Sequence, residues 1–166
     1  MSAGDVLQRL DEIVDAYCKS NLYQQEELTL ARARSFVKQH CLNTRHRNSV
    51  SKLRVATNCP DWDMRIRVLQ ACSQEVIADD EFAGDKPHWQ ILEELGVAIG
   101  MDVAEIRNAE PLPSTEIAWA AWEGLMSNRH WLEGIIANAC AERANVPGYG
   151  YGTARKHVNS FVQRLR

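Results

Sequence analysis

The chain has 166 residues, of which 45% are apolar and 25% charged, with a formal net charge of −3 at pH 7. This length predicts one helical domain over residues 1–166, because two domains of ordinary size would not fit. No basic segment precedes an apolar one at the N-terminus and no run of about eighteen apolar residues occurs, which excludes a secretion signal and a membrane span and predicts a cytoplasmic protein.

Apolar residues recur at three- and four-residue steps along the chain, which is the period of an amphipathic helix. Asp61 follows Pro60 and is placed to cap a helix, and Gly100 is placed to end one. Ser114 or Thr115 is expected to cap the helix after a linker with two prolines. The predicted helices cover residues 3–19, 26–41, 44–57, 61–80, 88–99, 115–127, 129–145 and a last segment from 153.

Some neighbouring segments leave the number of helices open. Residues 26–41 and 44–57 fit either two helices or one bent helix, and so do residues 115–127 and 129–145. Residues 102–109 read as a short turn. Because no segment alternates with the two-residue period of a strand, the predicted fold class is all-α.

Function in a helical bundle depends on polar side chains that face its interior. Glu81 and His88 are seven residues apart, close to two helical turns, so they share one face if the helix continues through Pro87 or bends there. Glu142 lies beside the apolar face marked by Ile135. Carboxylate and imidazole donors suit iron or manganese. A solvated helix end would explain the same spacing, because short motifs are rarely specific.

The five cysteines are an odd number without CxxC spacing, which predicts neither a disulfide framework nor a thiolate zinc site. One basic segment stands out, and it has no interleaved aromatic residue to stack on a base, so nucleic-acid binding is not expected. A solvated helix face or an anchor for a substrate carboxylate fits it instead. The segment consists of Arg45, His46, Arg47, Lys52 and Arg54.

Three stretches resemble one known family. The stretch from Glu81 to Gly96 resembles a segment with an acidic residue, a glycine-containing turn and a histidine before an apolar helix ending in Leu-Gly. In residues 131–147, Glu142 stands ahead of a proline, as in the second ligand helix of that family. The helix that carries His40 resembles its substrate-facing helix. The family is the haem-oxygenase-like di-iron oxidases, relatives of the pyrroloquinoline-quinone synthesis protein C and of the TenA thiaminases.

The resemblance implies a haem-oxygenase-like helical bundle with a non-haem di-iron site, in which dioxygen oxidises a small molecule such as an amine, an amino acid or a fatty acid. It assigns Glu81, His88 and Glu142 as iron ligands and identifies no further catalytic residue. In the family a later helix completes the site, whereas no Asp or Glu follows Glu142 here. We therefore expect a bundle that is incomplete at its C-terminus and a chain that is not a competent oxidase by itself.

The expected partners are the substrate, dioxygen and a second copy of the chain, because a missing helix would leave apolar surface uncovered. Neither nucleic acid nor a membrane is expected. Two other functions stay open at this point. One is a metal-free enzyme like the quinone-synthesis protein C, and the other is a helical interaction domain without catalysis.

Overall fold

The computed structural model describes residues 2–21, 26–78 and 84–145. Every regular element in these ranges is helical, which confirms the all-α class. No helix of the described ranges is long and apolar enough to cross a membrane. The elements are α1 (Ala3–Ser20), α2 (Leu30–Asn43), a π-helical turn (Thr44–Asn48), α3 (Ser49–Asn58), α4 (Trp62–Val76), α5 (His88–Ala98), α6 (Val103–Arg107), α7 (Pro113–Asn128) and α8 (Trp131–Asn145).

Local capping signals explain several helix ends. The Asp61 carboxylate accepts a hydrogen bond from the Met64 backbone N–H at 2.9 Å, which confirms the predicted start of α4. Gly100 has φ 79° directly after the C-cap of α5, the left-handed conformation that commonly ends helices. The predicted helix from residue 153 lies outside the described residues.

Two local predictions were wrong. Residues 103–107 form α6 where a turn was expected, and the Asp102 side chain caps this helix by accepting from the Ala104 N–H at 2.7 Å. Helix α7 begins at Pro113 with Leu112 as its N-cap, so neither Ser114 nor Thr115 caps it. Proline suits the first helical position because the N–H that it lacks would have no partner there.

The π-helical turn answers whether the second and third predicted helices are separate. Asn43 and Ser49, which flank the turn, both have right-handed helical dihedrals, so the backbone stays helical from α2 through α3. The buried Thr44 hydroxyl donates to the His40 carbonyl at 3.0 Å. A π-turn shifts the residues after it relative to those before it, and such turns are frequent at functional sites.

The helices group into two compact units. The first comprises α1 and residues 135–145 of α8, and the second comprises residues 30–134. In the first unit, Arg143 donates to the buried Asp11 carboxylate at 2.7 Å beside a small core formed by Val14, Cys18 and Ala144. The single domain over residues 1–166 stays a prediction.

The core of the second unit lies between α2, α5 and α6. Val37, Cys41, Met101 and Ile106 are its most buried members. Gly96 of α5 permits this packing, because a Cβ there would overlap Ile106 and lie 2.9 Å from Val37 Cγ1. Four of the five cysteines are buried and Cys140 is partly buried.

Candidate functional site

A buried carboxylate joins three helices of the second unit. Glu75 of α4 is 4% exposed. Its Oε1 accepts a hydrogen bond from Lys52 Nζ of α3 at 2.7 Å, and its Oε2 lies 3.1 Å from His88 Nδ1 of α5. Both carboxylate oxygens are therefore engaged, one by a cation and one by an imidazole.

The local sequence explains how these side chains reach the interior. Lys52 precedes the buried residues Val55 and Ala56 by three and four positions, so it lies on the inward stripe of α3. Glu75 follows the buried Cys72 by three positions on α4. Pro87 is the N-cap of α5, which makes His88 the first residue of that helix.

The electrostatics of the site favour an ionised Glu75. Burial by itself raises the pKa of the Glu75 carboxyl, yet the hydrogen bond with His88 and the charge of Lys52 together lower it to about 2. A carboxylate without a proton can only accept, so at neutral pH the hydrogen of this bond belongs to His88 Nδ1. In the neutral imidazole, Nε2 then carries the lone pair.

A second imidazole lies near this cluster. Burial of the ring lowers the pKa of His40, while the charge of Glu75 raises it and that of His88 lowers it. The His40 ring stacks on Phe36 with 4.9 Å between the ring centroids. His40 belongs to α2, the helix whose sequence resembles the substrate-facing helix of the family.

The basic segment does not form one patch. Lys52 is buried, whereas the Arg45 guanidinium lies 5.6 Å from the Trp89 ring centroid and that of Arg47 lies 5.1 Å from Trp119. Arg54 is half-exposed and pairs with Glu123 at 2.7 Å. The solvated helix face thus describes Arg54, while Lys52 belongs to the candidate site.

The three predicted metal ligands fare differently. His88 contributes to the site at Glu75. Glu142 lies partly buried on α8 in the other unit, and Glu81 lies outside the described residues. Within residues 2–21, 26–78 and 84–145, no group of three or more His, Cys, Asp or Glu side chains is placed to hold a metal ion. The grouping of Glu81, His88 and Glu142 stays a prediction.

A shared helical face for Glu81 and His88 required a helix that continues through Pro87 or bends there, and the described part of this segment is not helical. Helix α4 ends at Val76, residues 84–87 are not helical, and α5 begins only at His88. Gly84 and Asp85 have φ values of 55° and 66°, a left-handed conformation that breaks helical phase. No continuous helix through Pro87 therefore relates the two side chains.

Sequence reasoning missed Glu75 as a member of the site, and for the segment with Lys52 it left open a solvated helix face or an anchor for a substrate carboxylate. The available signal was positional, because Lys52 stands three positions before the buried Val55 and Glu75 stands three positions after the buried Cys72. Charged residues are almost never fully buried unless they are paired, so two such positions on neighbouring helices indicate a buried pair.

A separate groove of about 630 Å³ lies between α2 and residues 105–112. None of Lys52, Glu75 and His88 lines it. Gln39 crosses it, donating to the Glu110 carbonyl at 3.0 Å and accepting from the Leu112 N–H at 2.9 Å. These hydrogen bonds hold Glu110 and Leu112 against α2. The residues around the groove therefore have a structural role in packing this segment.

The chain matches no family model, no curated protein and no solved structure. The likeness to the haem-oxygenase-like oxidases therefore rests on the three sequence stretches alone and stays a prediction. The chemistry around Glu75 is the structural ground on which a function can be proposed.

Proposed function

We propose that this chain belongs to a non-haem iron oxidase that uses dioxygen to oxidise a small molecule, and that His88 binds the iron through Nε2. The observation that carries the proposal is the 3.1 Å contact between His88 Nδ1 and the buried Glu75 carboxylate. Histidines that ligate metals almost always donate their other ring N–H to a carboxylate, a carbonyl or water, which fixes the tautomer and the ring orientation.

The donor chemistry supports the same proposal. Imidazole nitrogen and carboxylate oxygen are common iron ligands, and His88 is the predicted ligand whose side-chain contacts the structure describes. Glu75 does not serve as a further ligand, since Lys52 and His88 engage its two oxygens. The resemblance also implies Glu81 and Glu142 as carboxylate ligands, and the proposal for this chain rests on His88 alone.

The residues of the chain then have separate tasks. Glu75 orients His88, and Lys52 balances the charge of Glu75. The His88 side chain is 39% exposed, whereas that of Glu75 is 6% exposed. Bound iron would supply the redox chemistry that dioxygen activation requires.

Anaerobic loading with ferrous iron tests the proposal. We expect the wild-type chain to retain ferrous iron. His88→Ala should lose it, and Glu75→Gln should bind it about 10–100-fold more weakly. His46→Ala, which removes an exposed histidine of the π-helical turn, is the matched control and should bind like wild type. Equal iron in His88→Ala and wild type would contradict the proposal.

A metal-free enzyme is the second candidate, and one observation favours it. The charge of Glu75 is already balanced by Lys52, so the pair of Glu75 and His88 is complete as a carboxylate-oriented imidazole. Such a pair serves in general acid–base catalysis without any metal. If neither wild type nor His88→Ala takes up iron, a thermal-shift screen of small carboxylic acids and amines tests this candidate. A ligand that stabilises wild type but not His88→Ala would favour the metal-free enzyme.

A further inference from the structure

Helix α1 has two apolar faces that lie side by side. One face is buried in the small core that it shares with α8. The other is exposed, because Val6, Ile13 and Tyr17 are 40%, 50% and 48% exposed. Leu10, which is partly buried, lies between them. These residues follow one another at steps of four, three and four, so they form one stripe along the helix.

This spacing is the repeat by which one helix packs against another. Single exposed apolar residues are ordinary on a protein surface, whereas apolar residues at alternating steps of three and four form the contact seam of paired helices. The stripe from Val6 to Tyr17 is about 16 Å long at a rise of 1.5 Å per residue. The occupant that fits it is a helix of similar length with an apolar stripe of its own.

The sequence that follows α8 contains such a helix. Val158, Phe161, Val162 and Leu165 recur at the helical period within residues 153–166. A helix over these residues would be about 21 Å long, which is enough to cover the stripe of α1. An isolated helix of this length is only marginally stable in water, so it requires an apolar surface to pack against.

The course of the chain leads this segment to α1. At the end of α8, Arg143 donates to Asp11 of α1 at 2.7 Å, and Ala144 belongs to the same small core as Val14. Residues 146–152 connect this end to residue 153 and can span at most roughly 25 Å. A connection of this length usually joins neighbouring antiparallel helices. The predicted helix therefore begins within reach of the exposed stripe.

The charges of the two segments are complementary. Residues 153–166 contain no Asp or Glu, and their basic residues are Arg155, Lys156, Arg164 and Arg166. Helix α1 is acidic overall, with Asp5, Asp11, Glu12 and Asp15 against Arg9 and Lys19. Opposite charges favour this pairing, whereas the same helix of a second copy would bring two acidic surfaces together.

We propose that residues 153–166 form a helix that docks on the exposed stripe of α1 in the same chain and covers Val6, Ile13 and Tyr17. Helix α1, the end of α8 and this segment then form a unit of three helices. The proposal does not depend on a metal at His88.

Hydrogen exchange of the full chain, followed by mass spectrometry, tests this docking. We expect the backbone amides of residues 157–166 to exchange slowly in wild type. Ile13→Glu places a charge in the stripe and should speed this exchange at least about 10-fold, and Phe161→Glu should do the same from the segment. Ile117→Glu is the matched control, because Ile117 is a 71% exposed residue of the second unit, and it should leave the exchange of residues 157–166 unchanged.

A milder variant guards against general unfolding in Ile13→Glu. Tyr17→Gln adds no charge, and it should speed the exchange of residues 157–166 while residues 30–134 stay as protected as in wild type. Fast exchange of residues 157–166 in wild type would overturn the proposal, and so would exchange that both stripe variants leave unchanged. If Ile13→Glu instead converts an assembly into a monomer in light scattering without changing this exchange, a second copy occupies the stripe and the proposal is wrong.

Discussion

Breaking the pair of Lys52 and Glu75 should be costly, whereas removing both of its charges should not. Lys52→Met leaves the Glu75 carboxylate buried with a single hydrogen-bonding partner, His88. Losing one member of a buried ion pair costs roughly 3–5 kcal/mol. Because the contact with His88 remains, we expect the lower end, about 3 kcal/mol, which is a large share of the roughly 5–15 kcal/mol that stabilises an ordinary domain.

The double variant Lys52→Met, Glu75→Leu isolates the cause. It removes both charges together, so we expect its free energy of unfolding to lie within about 1 kcal/mol of wild type. Urea unfolding followed by far-ultraviolet circular dichroism measures both values. The matched control is Arg129→Ala in the exposed pair with Glu133, whose side chains are 64% and 47% exposed, and it should cost less than about 0.5 kcal/mol. If Lys52→Met costs no more than this control, or if the double variant is as unstable as Lys52→Met, the reasoning is refuted.

Replacing Gly96 by alanine should lower the free energy of unfolding by about 1–3 kcal/mol, because the new Cβ would overlap Ile106. Gly124 has open space around it, so the same replacement there should raise the free energy of unfolding by about 0.5–1 kcal/mol. Equal urea midpoints for the two variants would contradict this. The hydrogen bond from Arg107 lowers the pKa of Glu93 below its value in the unfolded chain. The pair of Arg107 and Glu93 therefore stabilises the fold at a pH above the unfolded pKa of Glu93, and this stabilisation is lost as the pH falls through the folded pKa. Glu93→Gln should therefore lose less stability between about pH 5 and pH 3 than wild type, and an unchanged acid profile would show that the pair contributes nothing. Light scattering should detect a dimer or a larger assembly, and a monodisperse monomer would contradict the predicted self-association.

The helices were predictable because their signals are local. Asp61 caps α4 and Gly100 follows the end of α5, as the sequence predicted, because a cap or a left-handed glycine depends only on its near neighbours. Helix α6 was missed because five residues are too few to show an apolar period. The helix start at Pro113 was misplaced because proline is both a linker residue and a favoured first helical residue.

The candidate site was predictable only in part. His88 could be singled out from its sequence surroundings, but its contact partner Glu75 stands 13 positions earlier on another helix. Lys52 is 23 positions from Glu75 and lies in the basic segment, for which a solvated helix face was one of two interpretations. The link between Glu81 and His88 was argued from the phase of one helix, whereas α4 ends at Val76 and residues 84–87 are not helical.

The sequence by itself determined the all-α class, most of the helices and the presence of His88 after a helix-breaking proline. These features depend on the order of neighbouring residues, which amphipathic periodicity and capping report directly. Only the tertiary structure decided that Lys52 and Glu75 meet and that His88 completes their cluster. Such contacts depend on how α3, α4 and α5 pack, and the burial of a charge is favourable only once its partner on another helix is in place.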